Sequence, residues 1–214
     1  MAEERLKRRI ITPECMLSYP HLYEPTQFDE KAAFKYSTAA VFLPGTDITE
    51  MQRAVIEVGK ARWPDYVEGV KSGKYHFPFH GGEKATEKGY PEGSVFFNAS
   101  SDAPPGVVTL IPDPETGKPM FADPKQVYPG VIARLSVTFY TFPAGERKGN
   151  RGVGVGLNNV QIIRDGERLD GRMNPTDEFS ADPNAVADLS DLEPVETPAG
   201  ADDDGDDDLL SDLM

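Results

Sequence analysis

The sequence predicts a mainly β domain that carries one α-helix and is followed by a disordered acidic tail. The 19 prolines and 20 glycines fall mostly between short apolar runs, which favours many strands joined by turns over a bundle of helices. The charges are unevenly placed, because all 22 Lys and Arg residues precede position 173, whereas the 36 Asp and Glu residues extend almost to the last residue. We therefore divide the chain into a domain, 1–172, and a tail, 173–214.

The tail accounts for the whole net charge of −14. It contains 11 Asp and 3 Glu and no basic residue, so the domain before it is neutral overall. Pro, Ala and Gly make up much of the rest, with Phe179 as the single aromatic residue. A segment of this composition buries too little apolar surface to offset the entropy of ordering, which predicts disorder over 173–214.

The domain is large enough to fold without covalent links. A chain of about 170 residues buries roughly 70% of its surface on folding. Cys15 is the only cysteine, which excludes an internal disulfide and any multi-cysteine metal site, and which suits a reducing cytosol. No stretch approaches 18 apolar residues and the first residues lack the apolar run of a signal peptide, so we expect neither a membrane span nor a leader.

Alternation of apolar and polar residues predicts the strands. In 131–142 the odd positions are apolar or small and form the core face, while Arg134 and Tyr140 share the opposite face. In 94–101, Phe97 lies on the core face and Phe96 on the other. Further strands are predicted in 35–43, 107–111 and 153–163.

One helix is predicted from position 48 to position 62. Ile48, Met51, Val55 and Val58 recur at spacings of three and four and form one apolar stripe. Thr46 or Asp47 precedes the stripe as a helix cap, and Trp63-Pro64 ends it. We expect this helix to cover one end or side of a sheet.

Glycine alternates with apolar residues in the last predicted strand. Gly152, Gly154 and Gly156 share one face, and Asn158-Asn159 then shifts the apolar phase by one residue, as a β-bulge does. Two interpretations stay open. Glycines on one face allow a ligand or another backbone to approach closely, or they allow a barrel strand to bend tightly.

Catalytic and metal-binding patterns are weak. His76 and His80 are four residues apart, but Pro78 between them rules out a regular helix that would pair them on a metal. The glycine-rich run at 152–156 lacks the Gly-Lys-Ser/Thr of a phosphate loop, and no nucleophile signature surrounds Cys15. We predict no catalytic residue, no metal site and no cofactor.

Basic and aromatic residues are interleaved in the way that a single-strand-binding groove requires. Cations follow the phosphates of a strand, and rings stack under its bases. The candidate phosphate contacts are Lys74, Lys84, Arg134, Arg147, Lys148 and Arg151, with Lys88 close by in sequence, and the candidate stacking rings are Tyr75, Phe77, Phe96 and Tyr140. Alternatives remain: Phe77 belongs to the core, a helix buries Phe96, or the basic residues at 147–151 are a solvated hairpin tip.

The tail ends in an apolar tip on an acidic stalk. We expect the stalk to compete with DNA for a basic groove and the tip to bind partner proteins. The candidate partner-binding residues are Asp206, Asp207, Asp208, Leu209, Leu210, Leu213 and Met214. The alternative is that the charged run only increases solubility.

Several ordered blocks of sequence resemble the single-stranded-DNA-binding proteins of tailed phages. The blocks are Phe77-Pro-Phe-His-Gly-Gly, Gly89-Tyr-Pro-Glu-Gly-Ser-Val-Phe-Phe-Asn-Ala-Ser-Ser, Val127-Tyr-Pro-Gly-Val-Ile-Ala-Arg, Val137-Thr-Phe-Tyr and Gly152-Val-Gly-Val-Gly-Leu-Asn-Asn-Val-Gln. The resemblance spans roughly residues 10 to 172. It implies an OB-like Greek-key barrel, cooperative coating of single strands in phage replication and recombination, and an acidic tail that contacts replication proteins. Tails of this kind commonly end in an aromatic residue, whereas this one ends in Leu213-Met214.

Together these features predict a non-catalytic protein that binds single-stranded DNA without sequence preference in the cytoplasm of a bacterial host. A homo-oligomer is compatible with the sequence. Two other functions stay open: a metal-dependent nuclease accessory that uses carboxylates, and an interaction protein that acts through its tail. Metal-dependent turnover would support the first, and a domain without DNA affinity would support the second.

Overall fold

A computed structural model describes residues 6–27, 32–143, 151–169 and 171. The predicted tail and its seven candidate partner-binding residues lie outside these ranges. The strands are β1 (Arg8–Ile11), β2 (Cys15–Thr26), β3 (Lys35–Phe42), β4 (Tyr75–His76), β5 (His80–Gly81), β6 (Val95–Ser101), β7 (Gly106–Pro112), β8 (Pro119–Phe121), β9 (Ile132–Phe142) and β10 (Arg151–Arg164). The helices are α1 (Thr49–Arg62), α2 (Tyr66–Lys71) and α3 (Glu83–Glu87), and a 3₁₀ turn covers Pro124–Gln126.

Five of the strands close into a barrel. Around the barrel the order is β2, β3, β6, β10 and β9, and β9 pairs with β2 to complete the circle. All neighbours are antiparallel except β6 and β10, which are parallel. A five-stranded Greek-key barrel of this kind is an OB-like fold, so the predicted fold class is confirmed.

The other strands extend the barrel wall. β1 lies beside β9, β7 lies beside β10, and β8 lies beside β7, so that β1 and β8 are the two edges of one sheet. The short strands β4 and β5 pair with β10 and β6. In the part of the chain that the structure describes, no helix is long and apolar enough to cross a membrane.

The core lies inside the barrel, on the face that the alternation predicts. Every odd residue of 131–141 is buried, and the Phe139 and Phe97 rings meet edge to face with centroids 6.4 Å apart. The predicted helix is α1, which packs against β1, β9 and β10 and buries Met51, Val55 and Val58. Asp47 accepts a 2.9 Å hydrogen bond from the Thr49 amide at its start.

Two short helices, α2 and α3, are additions that the sequence pattern does not mark. With six and five residues, they are too short to show a helical period. α3 and Tyr90 cover the outer face of the barrel beside Phe96 and enclose a second apolar cluster. Its members are Met16, Val41, Ala85, Tyr90, Phe96 and Ile132.

The predicted β-bulge in β10 is confirmed. Leu157 pairs with Val137 and Asn159 pairs with Ser136, which leaves Asn158 as the extra residue. The Asn158 amide donates a 3.0 Å hydrogen bond to the Thr138 hydroxyl. After this extra residue the even positions of β10 face the core instead of the odd ones, which explains why Val160 is buried.

Close backbone approach explains one of the three glycines. A Cβ at Gly152 would overlap the backbone of His76, because β4 runs directly beside β10 at that point. Gly154 and Gly156 instead lie under the ring of Tyr140, which faces them from β9. The glycine face of β10 therefore contacts the backbone of β4 at Gly152, and it contacts the flat side of the Tyr140 ring at Gly154 and Gly156.

Candidate nucleic-acid interface

A row of small and polar residues crosses the outer surface of the barrel. Its members pair in register across five neighbouring strands, so their side chains share one face. They are Thr138 on β9, Gly156 on β10, Ser100 on β6, Ser37 on β3 and His21 on β2. With strands spaced by about 4.8 Å, the row is about 19 Å long. We call it the small-residue row.

One half of the row forms the floor of a groove of about 830 Å³. The floor is made by small or polar side chains of β3 and β6, among them Ser37, Ala39, Asn98 and Ser100. The lining also includes Tyr19, His21, Lys35 and Lys88. A low floor between a ring and two cations suits an extended polyanion that carries flat bases.

Tyr19 projects from an irregularity in β2. Its φ is +49°, the only positive φ of a non-glycine residue in the described ranges. The pairing of β2 with β3 shifts between Ser18 and His21, so the strand bends at this residue. The bend leaves 60% of Tyr19 exposed at the groove. Holding a tyrosine in the left-handed backbone region costs on the order of 1–3 kcal/mol of folding free energy. Backbone strain of this kind is concentrated at functional sites.

Two lysines bring positive charge to the groove. The Lys88 ammonium, just after α3, lies 5.7 Å from the centre of the Tyr19 ring and 5.9 Å from that of Phe96. Lys35 lies at the start of β3, where its ammonium is 3.2 Å from the Asp102 carboxylate. Both side chains are long and carry their charge at the groove surface, where it can reach a phosphate.

Tyr140 lies at the other end of the small-residue row. Its ring covers the glycine face of β10, and it lines a pocket of about 370 Å³ with Thr138 and Lys7. Because Thr138 belongs to both the row and the pocket, the two features are continuous. The sequence-predicted Tyr140 is therefore joined to the groove by residues without bulky side chains.

Tyr75 requires a correction. The structure brings the predicted residues Lys74, Tyr75 and Arg151 together, with the two cations 4.8 Å and 5.3 Å from the ring centre. The ring itself is only 5% exposed and stacks on Trp63 at 5.0 Å, so it offers no free face to a base. Its hydroxyl and the Lys74 ammonium both donate to Asp65, and these hydrogen bonds lower the pKa of that carboxyl.

Phe96 and Phe77 also differ from the stacking prediction. Phe96 is 2% exposed and meets Tyr90 edge to face at 5.3 Å, so the alternative in which a helix covers this face is correct. Phe77 is half-buried and packs against the core and the Phe79 ring. Where a helix covers the outer face of the barrel, outward-pointing residues are buried as well. Strand alternation gives the direction of a side chain but does not show whether an outward-pointing side chain is covered or exposed.

The remaining predicted cations are spread around the barrel. Lys84 is exposed on α3, on the same side as Lys88. Arg134 lies on the outer face of β9 but pairs with Glu14 at 3.7 Å, away from the groove. Arg147 and Lys148 lie outside the described residues.

Two imidazoles lie beside Lys84. The His76 and His80 rings are 5.9 Å apart, and His80 is 5.4 Å from Phe96. Burial lowers the pKa of both imidazoles, and the positive charge of Lys84 lowers them further. Within the described ranges, no three His, Cys, Asp or Glu side chains come together as a metal site.

Several groove residues are absent from the sequence prediction. Tyr19, His21, Lys35 and Asn98 come from three different strands, and none lies in the basic and aromatic stretch that the pattern identifies. Lys88 follows that stretch and is the one groove residue that sequence proximity could have found. For the others, pairing of distant strands is the signal, and it exists only in the folded chain.

Comparison with known proteins gives a relative by sequence and several solved structures that are similar in fold. "Putative protein p50" of Acyrthosiphon pisum secondary endosymbiont phage 1 is 29% identical over 164 residues, which cover 72% of this chain and 83% of that protein. Among solved structures, the C-terminally truncated single-stranded DNA-binding protein of bacteriophage Enc34 matches with a TM-score of 0.56 at 19% identity, over 75% of this chain and 88% of that one.

Two further structures share the fold. The Enc34 protein in complex with ssDNA matches with a TM-score of 0.55 at 17% identity, over 75% of this chain and 89% of that one. The protein gp2.5 of bacteriophage T7, a single-stranded DNA-binding protein, matches with a TM-score of 0.50 at 14% identity, over 85% and 98%. At the level of sequence, the family model described as Enterobacter phage Enc34 ssDNA-binding protein matches residues 8–190, most of the chain, and the chain therefore belongs to that phage ssDNA-binding protein family.

Proposed function

We propose that this chain binds single-stranded DNA without sequence preference and without catalysis, along the small-residue row on the outer face of the barrel. The strand runs from Tyr19 and Lys88 at the groove to Tyr140 at the far end. The observation that supports this path is the in-register row Thr138, Gly156, Ser100, Ser37 and His21, which leaves about 19 Å of surface without a bulky apolar side chain.

The chemistry of the path matches a single strand. Tyr19 offers an exposed ring, and Tyr140 offers a half-buried one that rests on glycine. Base–aromatic stacking tolerates any base, so two rings give affinity without sequence preference. Lys35, Lys88 and Lys7 then neutralise phosphates along the way.

Other predicted cations fit at the margins of this path. Arg151 begins β10, the strand whose glycine face carries the Tyr140 ring, and Lys74 lies beside it on Tyr75. Arg151 and Lys74 therefore add positive charge at the proposed far end, whereas Lys84 adds it on the side of Lys88. Tyr75 and Phe96 are not part of this proposal, because their rings are buried. Phe77 is left out because its half-buried ring packs against the core and not on the small-residue row.

The acidic tail is proposed as a competitor for the same groove. Leu169, a few residues before the tail, donates its N–H to the Pro129 carbonyl at 2.9 Å. It also lines a pocket of about 270 Å³ together with Tyr19 and Lys88. The chain therefore approaches the tail beside the ring and cation at the groove, and a tethered polyanion acts there at a local concentration of order millimolar.

We further propose that the apolar tip, Leu209 to Met214, recruits replication proteins while the acidic stalk competes with DNA. In this scheme the protein works in phage replication and recombination in the host cytoplasm. Partner capture exposes the groove, because a tail held elsewhere no longer competes.

A salt titration tests the binding mode. The full chain is titrated with a fluorescently labelled homopolymer strand at several salt concentrations. Log affinity should fall linearly with log salt, with a slope of roughly −0.7 for each phosphate contact on a single strand. Lys88→Ala removes one proposed phosphate contact and should reduce the magnitude of the slope by roughly 0.7. Lys60 is an exposed lysine on α1, and Lys60→Ala should leave the slope unchanged. Absence of binding, or a flat salt response, contradicts the proposal.

A further inference from the structure

The hairpin of β7 and β8 exposes large apolar side chains at the edge of the sheet. Phe121 is 81% exposed, Ile111 57%, Leu110 55% and Met120 43%. Leu110 and Ile111 are consecutive in one strand, as are Met120 and Phe121 in the other, so each pair points to opposite faces. The hairpin is therefore apolar on both faces, which is unusual for a surface that faces only water.

A pocket of about 390 Å³ lies at the hairpin, lined by Ile111, Met120 and Phe121, with Asp123 and Lys125 at its polar side. The polar side is built by the 3₁₀ turn, which Asp123 caps by accepting from the Lys125 amide at 2.8 Å. An apolar side chain fits the apolar part of this pocket, and the Asp123 carboxylate can accept a hydrogen bond from a basic neighbour.

The opposite edge of the same sheet has a complementary composition. β1 exposes 71% of Ile11, and 48% of Leu6 is exposed just before it. Between positions 6 and 11 there are three basic residues, Lys7, Arg8 and Arg9, and no acid, whereas positions 110–126 hold three acids and two bases. In the described ranges, no strand pairs with the outer side of β1 or of β8.

The strand directions are also compatible. β1 is antiparallel to β9, which is antiparallel to β10, so β1 runs with β10. β7 is parallel to β10 and β8 is antiparallel to β7. β8 and β1 therefore have opposite directions. A second copy placed beside β8 in the same orientation presents its β1 antiparallel to β8, and antiparallel pairing is the slightly more stable arrangement.

We propose that the β8 edge of one molecule docks on the β1 edge of a second copy of this chain. The contact is head-to-tail, so each molecule pairs its β8 edge with one neighbour and its β1 edge with another. A heterologous contact of this kind leaves a free edge at each end and extends into open chains, unlike a symmetric dimer. Phe121 and Met120 of one copy pack against Leu6 and Ile11 of the next, and Arg8 and Arg9 face Asp123.

The short strands set the strength of this contact. β1 has four residues and β8 three, so the ladder is brief and the buried area is small. Small interfaces are typical of weak and transient association. We expect assembly that depends on protein concentration and needs no DNA, which makes this inference independent of the proposed function.

Two single variants test the head-to-tail geometry. Phe121→Lys blocks the hairpin edge and Ile11→Glu blocks the β1 edge, and both side chains are mostly exposed, so the folded state should be retained. Leu43→Lys, at a 41% exposed leucine outside both edges, is the matched control. Sedimentation equilibrium of the full chain without DNA gives the oligomeric state, and the thermal transition checks folding.

The expected result is specific to this geometry. The wild type and Leu43→Lys should associate in open-ended steps as concentration rises, and each edge variant alone should stay monomeric. An equimolar mixture of the two edge variants should form a 1:1 dimer and nothing larger, because one intact β1 edge meets one intact hairpin. A monomeric wild type at every concentration overturns the proposal. So does an Ile11→Glu chain that associates like the wild type, which would indicate hairpin-to-hairpin contact.

Discussion

The Lys88 ammonium lies 5.7 Å from the centre of the Tyr19 ring, although the two residues belong to elements far apart in the chain. An irregularity in β2 turns the tyrosine outward, and the end of α3 places the lysine over it. A cation at this distance from an aromatic face attracts it, which orients the ring at the groove. A base and its phosphate would meet both groups at once.

Replacing Tyr19 should separate binding from folding. Tyr19→Gly and Tyr19→Ala should each lose about 1–3 kcal/mol of single-strand binding, and Tyr19→Phe should retain most of it, because stacking needs the ring and not the hydroxyl. Folding stability of Tyr19→Gly should not fall. Glycine relieves left-handed strain of roughly 1–3 kcal/mol, which offsets the roughly 0.5–1 kcal/mol that its greater freedom in the unfolded chain costs. Equal binding by all four chains in a fluorescence titration would exclude Tyr19 from the DNA path.

Phe96 and Tyr140 should respond differently to truncation. Phe96→Ala removes a ring that is 2% exposed, so it should cost about 3–5 kcal/mol of folding stability in a denaturant titration. Tyr140→Ala should instead lower binding by about 1–3 kcal/mol, because its ring lies on glycine at the end of the small-residue row. A Phe96→Ala protein with normal stability and weakened binding would reverse the assignment.

Acid should destabilise the protein through His76 and His80. Burial and the Lys84 charge lower the pKa of both imidazoles below 6.5 in the folded state, so the unfolded chain binds more protons in that window. The free energy of unfolding should therefore fall as pH drops through 6.5 toward the folded pKa values. Chemical denaturation at two pH values measures this loss.

Lys84→Gln tests the part of this pH dependence that comes from the Lys84 charge beside the two imidazoles. Without the Lys84 charge the imidazoles accept protons more readily when folded, so the difference in stability between pH 7.5 and pH 5.5 should shrink. Lys60→Gln on α1 should leave that difference as it is in the wild type. Equal pH dependence in all three proteins would show that Lys84 does not control these imidazoles.

Deleting 173–214 should tighten single-strand binding, and most at low salt. The deletion removes all of the net −14 and with it a tethered competitor for the groove. Added salt screens the tail, since the Debye length is about 10 Å at 0.1 M and shortens further, so the two chains should converge. Removing only 209–214 should leave DNA affinity nearly unchanged while it abolishes capture of replication proteins. Full-length and truncated chains with equal affinity at low salt would leave only the recruiting role.

Local patterns were sufficient for much of the fold. The alternation in β9, the apolar stripe of α1 and the bulge at Asn158 are each encoded within a dozen residues, because side-chain direction in a strand or helix repeats over that distance. The charge division at position 173 is a property of composition alone. Pattern therefore predicted β3, β6, β7, β9 and β10, but it did not mark the barrel strand β2 or the short strands β1, β4, β5 and β8.

The tertiary structure decided what covers each face. Phe96 is on the outer side of its strand, as the alternation predicts, but α3 and Tyr90 fold back over it. Tyr75 lies in a basic and aromatic stretch, yet Trp63 stacks on its ring. Burial on an outer face depends on elements that arrive from elsewhere in the chain, and a strand's own period carries no information about them.

The sequence by itself thus determined the strand-rich class, the helix α1, the acidic tail and the presence of basic and aromatic residues suited to single-stranded DNA. Only the tertiary structure decided that Tyr19, Lys35, Lys88 and Asn98 share one groove. They belong to strands and a helix end that are joined by barrel closure, in which pairing between distant segments sets neighbours. Such pairing is a long-range property, because the energy that selects it comes from burying the core faces together and not from any residue of the groove itself.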